Sequence, residues 1–296
     1  MNVKTLKDMF LCLAPILGLV ACGPSDPPVA GLQVEPDELQ LPFPGVVDLE
    51  LSWAMELPLE GLEGQPLVFA HLVDEQGEVL RTFDHTLEFD WQPGQRQQYG
   101  IRLYQSALAP PLEPGTYGLT LGLYDSAGHR WPLRVDGREA GRNEYRVAEV
   151  EVGAELENTP MFFFSPDWLH LESGVDAQIV ARRWLSDAEG TIRVSECPES
   201  GSIWMLIRIP SSEEVTSRVV LDEEASTPEV RITSTCGLEE ICVSGPGFHE
   251  VEISLSPADK ELLEECELRL QPNFKLVDDN AATQRSMALE VLAWAE

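Results

Sequence analysis

Cys197, Cys236, Cys242 and Cys266 stand in the second half of the chain, and thiols at such positions can pair as disulfides, ligate zinc or act as nucleophiles. Zinc sites favour closely spaced Cys-x(2–4)-Cys pairs, and none occurs among these four. An even number confined to one region reads as a disulfide framework with three pairings open to it. The preferred pairing is Cys236–Cys242, closing a turn through Gly237 and Leu238, with Cys197–Cys266 joining distant strands. On the loop-entropy picture the short closure is worth about 2 kcal/mol and the long one about 4 kcal/mol.

The histidines are His71, His85, His129, His170 and His249, and none falls in a close metal-binding spacing such as H-E-x-x-H. His71 sits in an apolar segment, where strand packing accounts for it. His85 follows Asp84, giving an acid–imidazole pair that a solvated turn explains equally well. No G-x-S-x-G elbow and no glycine-rich phosphate loop is present, and Ser244-Gly245-Pro246-Gly247 is a turn signal. Adjacent acids such as Glu239-Glu240, Glu264-Glu265 and Asp278-Asp279 are expected in a chain with 51 acidic residues. A glycosidase would need two of them about 5 or about 6.5–9.5 Å apart across a cleft. Hence no catalytic residue and no metal or other cofactor is assigned. Structural calcium stays open, because oxygen ligands abound although a D-x-D-x-D-G loop is missing. Trp53, Trp184, Trp204 and Trp294 lie in apolar strand patterns and read as core. Trp91, Trp131 and Trp168 lie beside turn residues, where an indole either packs under a loop, stacks on a sugar face or anchors a protein interface.

Twenty basic against 51 acidic residues give a net charge of −31, which repels phosphate backbones and excludes nucleic acid as a partner. This acidic protein spreads its charge through strand-like segments, so the charge reads as solubilising surface.

The first residues, MNVKTLKDMFLCLAPILGLVACGPSD, place Lys4 and Lys7 before an apolar run from Met9 to Val20. That run is shorter than the roughly 20 residues a membrane-crossing helix needs, and no second long apolar run follows. The leader and Leu19-Val20-Ala21-Cys22 resemble the lipobox of bacterial lipoproteins. The resemblance implies that residues 1–21 are a signal peptide carrying Cys12 away. It further implies that the Cys22 thiol receives diacylglycerol and that the new amino terminus is acylated, for example with palmitate. Two or more acyl chains make a stable membrane anchor. Gly23 stands where an aspartate would retain such a lipoprotein at the inner membrane, which favours the outer membrane of an organism that has one.

Residues 22–31, rich in Pro and Gly, are expected to form a lipidated tether. Strand patterns follow at 32–35, 46–55, 67–73, 79–83, 98–104 and 118–124, punctuated by turns such as Asp74–Gly77 and Asp125–Gly128. Gly118 and Gly122 share one face of their strand, which bulky neighbours then cover or at which the backbone bends. Residues 137–157 close this unit and cross to the next. His71 to Val79, Trp91-Gln92-Pro93-Gly94 and the 114–125 segment resemble the β-sandwich accessory domains of some bacterial membrane glycosyltransferases. That likeness covers residues 32–150 and implies a fold, with no transferase activity carried over, since the multispanning catalytic part is absent.

A second strand series runs at 177–185, 191–194, 202–209, 218–221, 229–233 and 251–255, closed by 267–271 and 288–294. The Arg183-Trp184 segment and the Phe274, Arg285, Leu289 arrangement resemble jelly-roll domains linked to bacterial glycan metabolism. One helical turn is expected at 257–263. The expected fold is therefore all-β: two tandem antiparallel β-sandwich domains, immunoglobulin-like over 32–150 and disulfide-containing and jelly-roll-like over 151–296.

The expected function is that of a cell-envelope lipoprotein, held at a membrane by its N-terminal lipid and serving as a non-enzymatic scaffold or protein-interaction module. A glycan-binding surface lipoprotein and a polysaccharide-directed hydrolase are the alternatives. The sequence points to an envelope protein partner, with a glycan as the other possibility, and fixes no oligomeric state.

Overall fold

Alternation of side chains across a pleated backbone dictates most of the elements. Over Gly45–Met55, Leu49, Leu51 and Trp53 are buried while Asp48 and Glu50 face solvent, so the segment has one core face and one wet face. In the computed structural model, the described residues are 26–87, 89–153, 159–174, 180–186, 188–196, 201–211, 218–222, 225–235, 240–254, 265–277 and 285–295. Cys22, Cys197, Cys236 and the turn expected at 257–263 lie outside them. No helix among the described residues is long and apolar enough to cross a membrane.

In chain order the first half supplies β1 (Ala30–Glu35), β2 (Glu38–Gln40), β3 (Gly45–Met55), β4 (Leu67–Val73), β5 (Val79–Thr82), β6 (His85–Thr86), β7 (Arg96–Gln105), β8 (Gly115–Tyr124), β9 (Arg130–Trp131), β10 (Leu133–Val135), β11 (Arg138–Gly141) and β12 (Glu144–Val152). The second half supplies β13 (Met161–Phe164), β14 (Glu172–Ser173), β15 (Ala181–Trp184), β16 (Gly190–Ser195), β17 (Ser202–Ile209), β18 (Arg218–Leu221), β19 (Glu229–Ser234), β20 (Glu240–Ser244), β21 (Gly247–Ser254), β22 (Glu265–Pro272), β23 (Phe274–Val277) and β24 (Ala288–Ala295).

These strands form an all-β fold of several mixed sheets. A nine-stranded sheet runs β10-β1-β3-β24-β15-β14, with β7 on β3, β17 on β24 and β21 on β17. An eight-stranded sheet is built on β11-β12-β8-β4-β5, a five-stranded one runs β13-β16-β22-β19-β20, and β18 pairs with β23. The expectation of purely antiparallel sheets is corrected: β1 with β10, β2 with β12 and β3 with β24 are parallel. Each of these pairs joins segments well apart in the chain, which no tight hairpin connects.

Two cores result. Leu49 and Leu51 of β3 pack with Val68, Leu72, Leu119 and Leu121 of the eight-stranded sheet. Ile203, Met205 and Ile207 of β17 pack with Ile192, Ile232, Leu268 and Leu270 of the five-stranded sheet. The nine-stranded sheet thus serves both cores, and β24, buried along its whole length, lies within it beside β3, β15 and β17. The sheet crosses from one half to the other where Trp294 pairs with Gly45. Gly45 is required there: a Cβ would lie 2.4 Å from Pro42 Cγ. Bulky groups cover the glycine face of β8, with the Arg146 guanidinium against Gly118 and the Phe69 ring against Gly122.

Two further expectations change. Val29 and Ala30 are buried and β1 begins at Ala30, inside the stretch expected to be tether. The expected Cys236–Cys242 disulfide is also corrected, because Cys242 is a free, exposed thiol. The reason is register. Ile241 and Val243 turn toward the second core, so Cys242 faces solvent on the opposite side, whereas Cys266 is wholly buried in that core. No disulfide joins two described cysteines.

Candidate functional site

β17 carries large apolar side chains on both faces. One face enters the second core, and the other presents Trp204 and Leu206 to Val46 and Tyr104 of the first half, where Val291, Ala293 and Ala295 of β24 complete a small junction core. Beside that contact the halves diverge and leave an open cleft of about 730 Å³. The first half contributes Asp48 of β3, the segment from Thr82 to Thr86, and residues 99–102 and 104 of β7; the second contributes Trp204 and Leu206 of β17 with Phe248 and Glu250 of β21.

Aromatic rings make its walls. Phe83 meets Tyr104 edge-on at 5.1 Å between centroids, and Tyr104 meets Trp204 at 5.4 Å. On the other side His85 and Phe89 flank Tyr99 at 5.4 and 6.0 Å. Phe248 stands at the rim, 55% exposed, the most exposed of the large apolar side chains described. Trp204 is 2% exposed, and its buried indole N–H has no hydrogen-bond partner among the described residues.

Charge enters through Arg102. Its Nε lies 3.0 Å from Asp48 Oδ1, its Nη1 3.6 Å from Glu250 Oε2 and its Nη2 3.0 Å from Glu252 Oε2, while the guanidinium carbon sits 5.6 Å from the Trp204 ring centre. One cation therefore meets three carboxylates across the junction. Burial alone would lower the Arg102 pKa, but the hydrogen bonds it donates to Asp48 and Glu252, and their charges, hold it above its ordinary value. Glu252 is held below the usual carboxylate range, first by the Ser202 hydroxyl, which donates to it at 2.6 Å, and then, against the opposing effect of burial, by Arg102.

The imidazoles are arranged differently from their order in the chain. Asp84 pairs with His71 at 3.1 Å, and it also accepts from the Ala70 N–H at 3.1 Å and from the Tyr124 hydroxyl at 3.3 Å. His85, its neighbour in sequence, hydrogen-bonds Tyr99 at 2.7 Å and the Phe83 carbonyl at 3.1 Å. Burial raises the Tyr99 pKa far above that of a free phenol, so the ring stays neutral and serves as wall and hydrogen-bond partner. No group of three or more His, Cys, Asp or Glu side chains among the described residues is placed to hold a metal ion.

None of the tryptophans singled out for ligand contact lines this cleft. Trp131 is buried and stacked on His129 at 4.5 Å. Trp168 is buried, donating to the Thr191 carbonyl at 3.2 Å. Trp91 packs edge-on against Trp53 and donates to the Leu57 carbonyl at 2.8 Å. The residues that do line it, Phe83, Phe89, Tyr99, Arg102 and Phe248, carried no sequence signal by spacing. Trp204 carried one, because the apolar run from Ile203 to Ile207 within β17 marks a strand covered on both faces.

No family model matches the sequence, and no curated protein matches it. Solved structures align over most of the chain at low similarity. Trypsin-activated α2-macroglobulin from Escherichia coli is 13% identical at a TM-score of 0.24, covering 90% of this chain and 16% of that one. Bacteroides uniformis β-glucuronidase is 8% identical at 0.20, covering 90% and 30%. The C-terminal globular domain of the Pyrococcus abyssi oligosaccharyltransferase is 11% identical at 0.17, covering 88% and 46%. The chain spans less than two thirds of each of these structures. The last amounts at most to a distant likeness of fold to a glycosyltransferase-associated domain, and at these scores none carries a functional argument.

Proposed function

We propose that the protein is a lipid-anchored lipoprotein of the bacterial envelope, in the outer membrane where one exists, and a non-enzymatic interaction module that receives a protein partner in the junction cleft. In this reading Cys22 carries the lipid, and the body consists of an immunoglobulin-like sandwich over 32–150 and a jelly-roll-like one over 151–296 sharing a sheet. The observation that supports it is the cleft itself: aromatic walls, an exposed Phe248 at the rim and an acidic edge, with Asp84 and His85 already engaged by the protein's own groups. Exposed aromatic side chains beside a concavity are the usual anchors of protein interfaces.

Site-specific cross-linking tests the reading. A photoreactive phenylalanine analogue at position 248 is expected to capture a discrete protein from detergent-solubilised envelope. The same analogue at Val79, also exposed but not lining the cleft, captures none. Equal capture at both positions, or retention of purified glycan alone, overturns the module. The anchor is tested separately by the mass of the N-terminal peptide: an intact Met1 with an unmodified Cys22 thiol removes it.

A further inference from the structure

The protein already shows which chemistry suits the cleft, because it places a guanidinium there itself. Arg102 lies over the Trp204 ring at 5.6 Å with carboxylates on its open sides, and Arg208 lies over Phe248 at 5.5 Å. Three carboxylates surround Arg102 alone, an excess of two negative charges at that end of the cleft. Asp48 and Glu250 are 74% and 60% exposed, so their ties to Arg102 are of the weak, exchangeable kind and their outer oxygens face water. The net charge of −31 adds a long-range field that draws cations toward any such concavity.

Resting on the interaction-module reading, we infer that the segment seated in the cleft is a cationic stretch of the partner protein. It carries an arginine or lysine between Asp48 and Glu250, and an aromatic or aliphatic side chain beside Phe248. The incoming cation takes up carboxylate capacity that Arg102 leaves unsatisfied. Aromatic faces attract it further, most strongly where water is displaced. A polyanionic glycan would meet the opposite field.

The test uses the full chain and a fluorescent, capped synthetic peptide of sequence Gly-Arg-Phe-Arg-Gly, with control peptides carrying glutamine or glutamate in place of both arginines. The arginine peptide is expected to bind and the glutamate peptide not to bind. Raising ionic strength from about 0.02 M to about 0.5 M weakens the complex several-fold. The double variant D48N/E250Q weakens it about tenfold, whereas Glu75→Gln, an exposed turn residue that does not line the cleft, leaves it unchanged. Arg102→Gln frees three carboxylates and tightens binding, opposite in sign to what an anion site would show. Equal binding of the glutamine peptide, a loss in Glu75→Gln matching that of D48N/E250Q, or abolished binding in Arg102→Gln with an unchanged far-ultraviolet spectrum overturns the inference. A protein cross-linked at position 248 through an acidic or uncharged segment also overturns it while leaving the interaction module standing, and the absence of any cross-link removes both.

Discussion

Trp294 pairs with Gly45 in parallel register, and this backbone contact carries one sheet from the first half into the second. A methyl group at position 45 would press on Pro42 Cγ at 2.4 Å and on the Pro42 carbonyl oxygen at 3.2 Å. Gly45→Ala is therefore expected to cost about 1–3 kcal/mol, as overpacking usually does. Urea unfolding reads the loss directly. An unchanged midpoint would mean that the junction yields without strain.

Glu290 is a buried counter-charge. Its side chain is 1% exposed, 3.4 Å from Arg182 Nη1 and 3.9 Å from Arg208 Nη1. Truncation to alanine leaves both guanidinium groups short of a carboxylate in a poorly hydrated place. About 3 kcal/mol is expected, the low end for a broken buried pair, because Arg182 keeps Glu172 at 3.5 Å. Glu290→Gln, which preserves shape and keeps one acceptor oxygen for the guanidinium donors, should cost less. Chemical denaturation of the two variants side by side checks the order, and equal costs would argue against the charge.

The Ser202–Glu252 hydrogen bond gives a pH signature. Glu252 is depressed below its ordinary value of 4.5 in the folded protein. Its stabilising contribution is then fully present above about pH 4.5 and is lost as the pH falls through the lower folded value. Ser202→Ala should destabilise by about 1 kcal/mol at pH 7, modest for a bond to a charged group because Glu252 is 42% exposed. The difference should shrink as the pH falls below 4.5 and through the lowered folded value. Unfolding curves across that range decide, and a pH-independent difference would assign the loss to packing.

Cys242 is expected to react with a thiol reagent in the native protein, because its sulfur faces solvent. Cys242→Ser should remove one reactive equivalent without moving the unfolding midpoint by more than about 0.5 kcal/mol, as for other surface changes. Retention of that equivalent would contradict the exposed thiol.

Much of the strand pattern was legible because β3, β4 and β8 alternate or run apolar over lengths that match strands. The same logic, applied to Ile241 and Val243, already turns Cys242 outward, and the expectation of a short disulfide set that alternation aside. β12 was harder to read, since the irregularity between Arg146 and Ala148 shifts the register with β8 in mid-strand. The pairing of Asp84 with His71 rather than His85 is a matter of tertiary register: β4 pairs with β5, setting His71 opposite Thr82, and so brings the imidazole to the acid. Local spacing contains no such information. The cleft is more remote still from the sequence, for its walls come from β3, β7, β17, β21 and the segment around β6, which meet only when the shared sheet is complete.

That completeness depends on β24, the latest described strand in the sequence, lying between β3, β15 and β17. A nascent polypeptide shorter than this has no middle rail on which the two earlier layers can register. Proteolytic trimming after Met287 would dismantle the junction cleft without touching a single residue that lines it. Assembly of the shared sheet thus waits on the strand synthesised after every other described one.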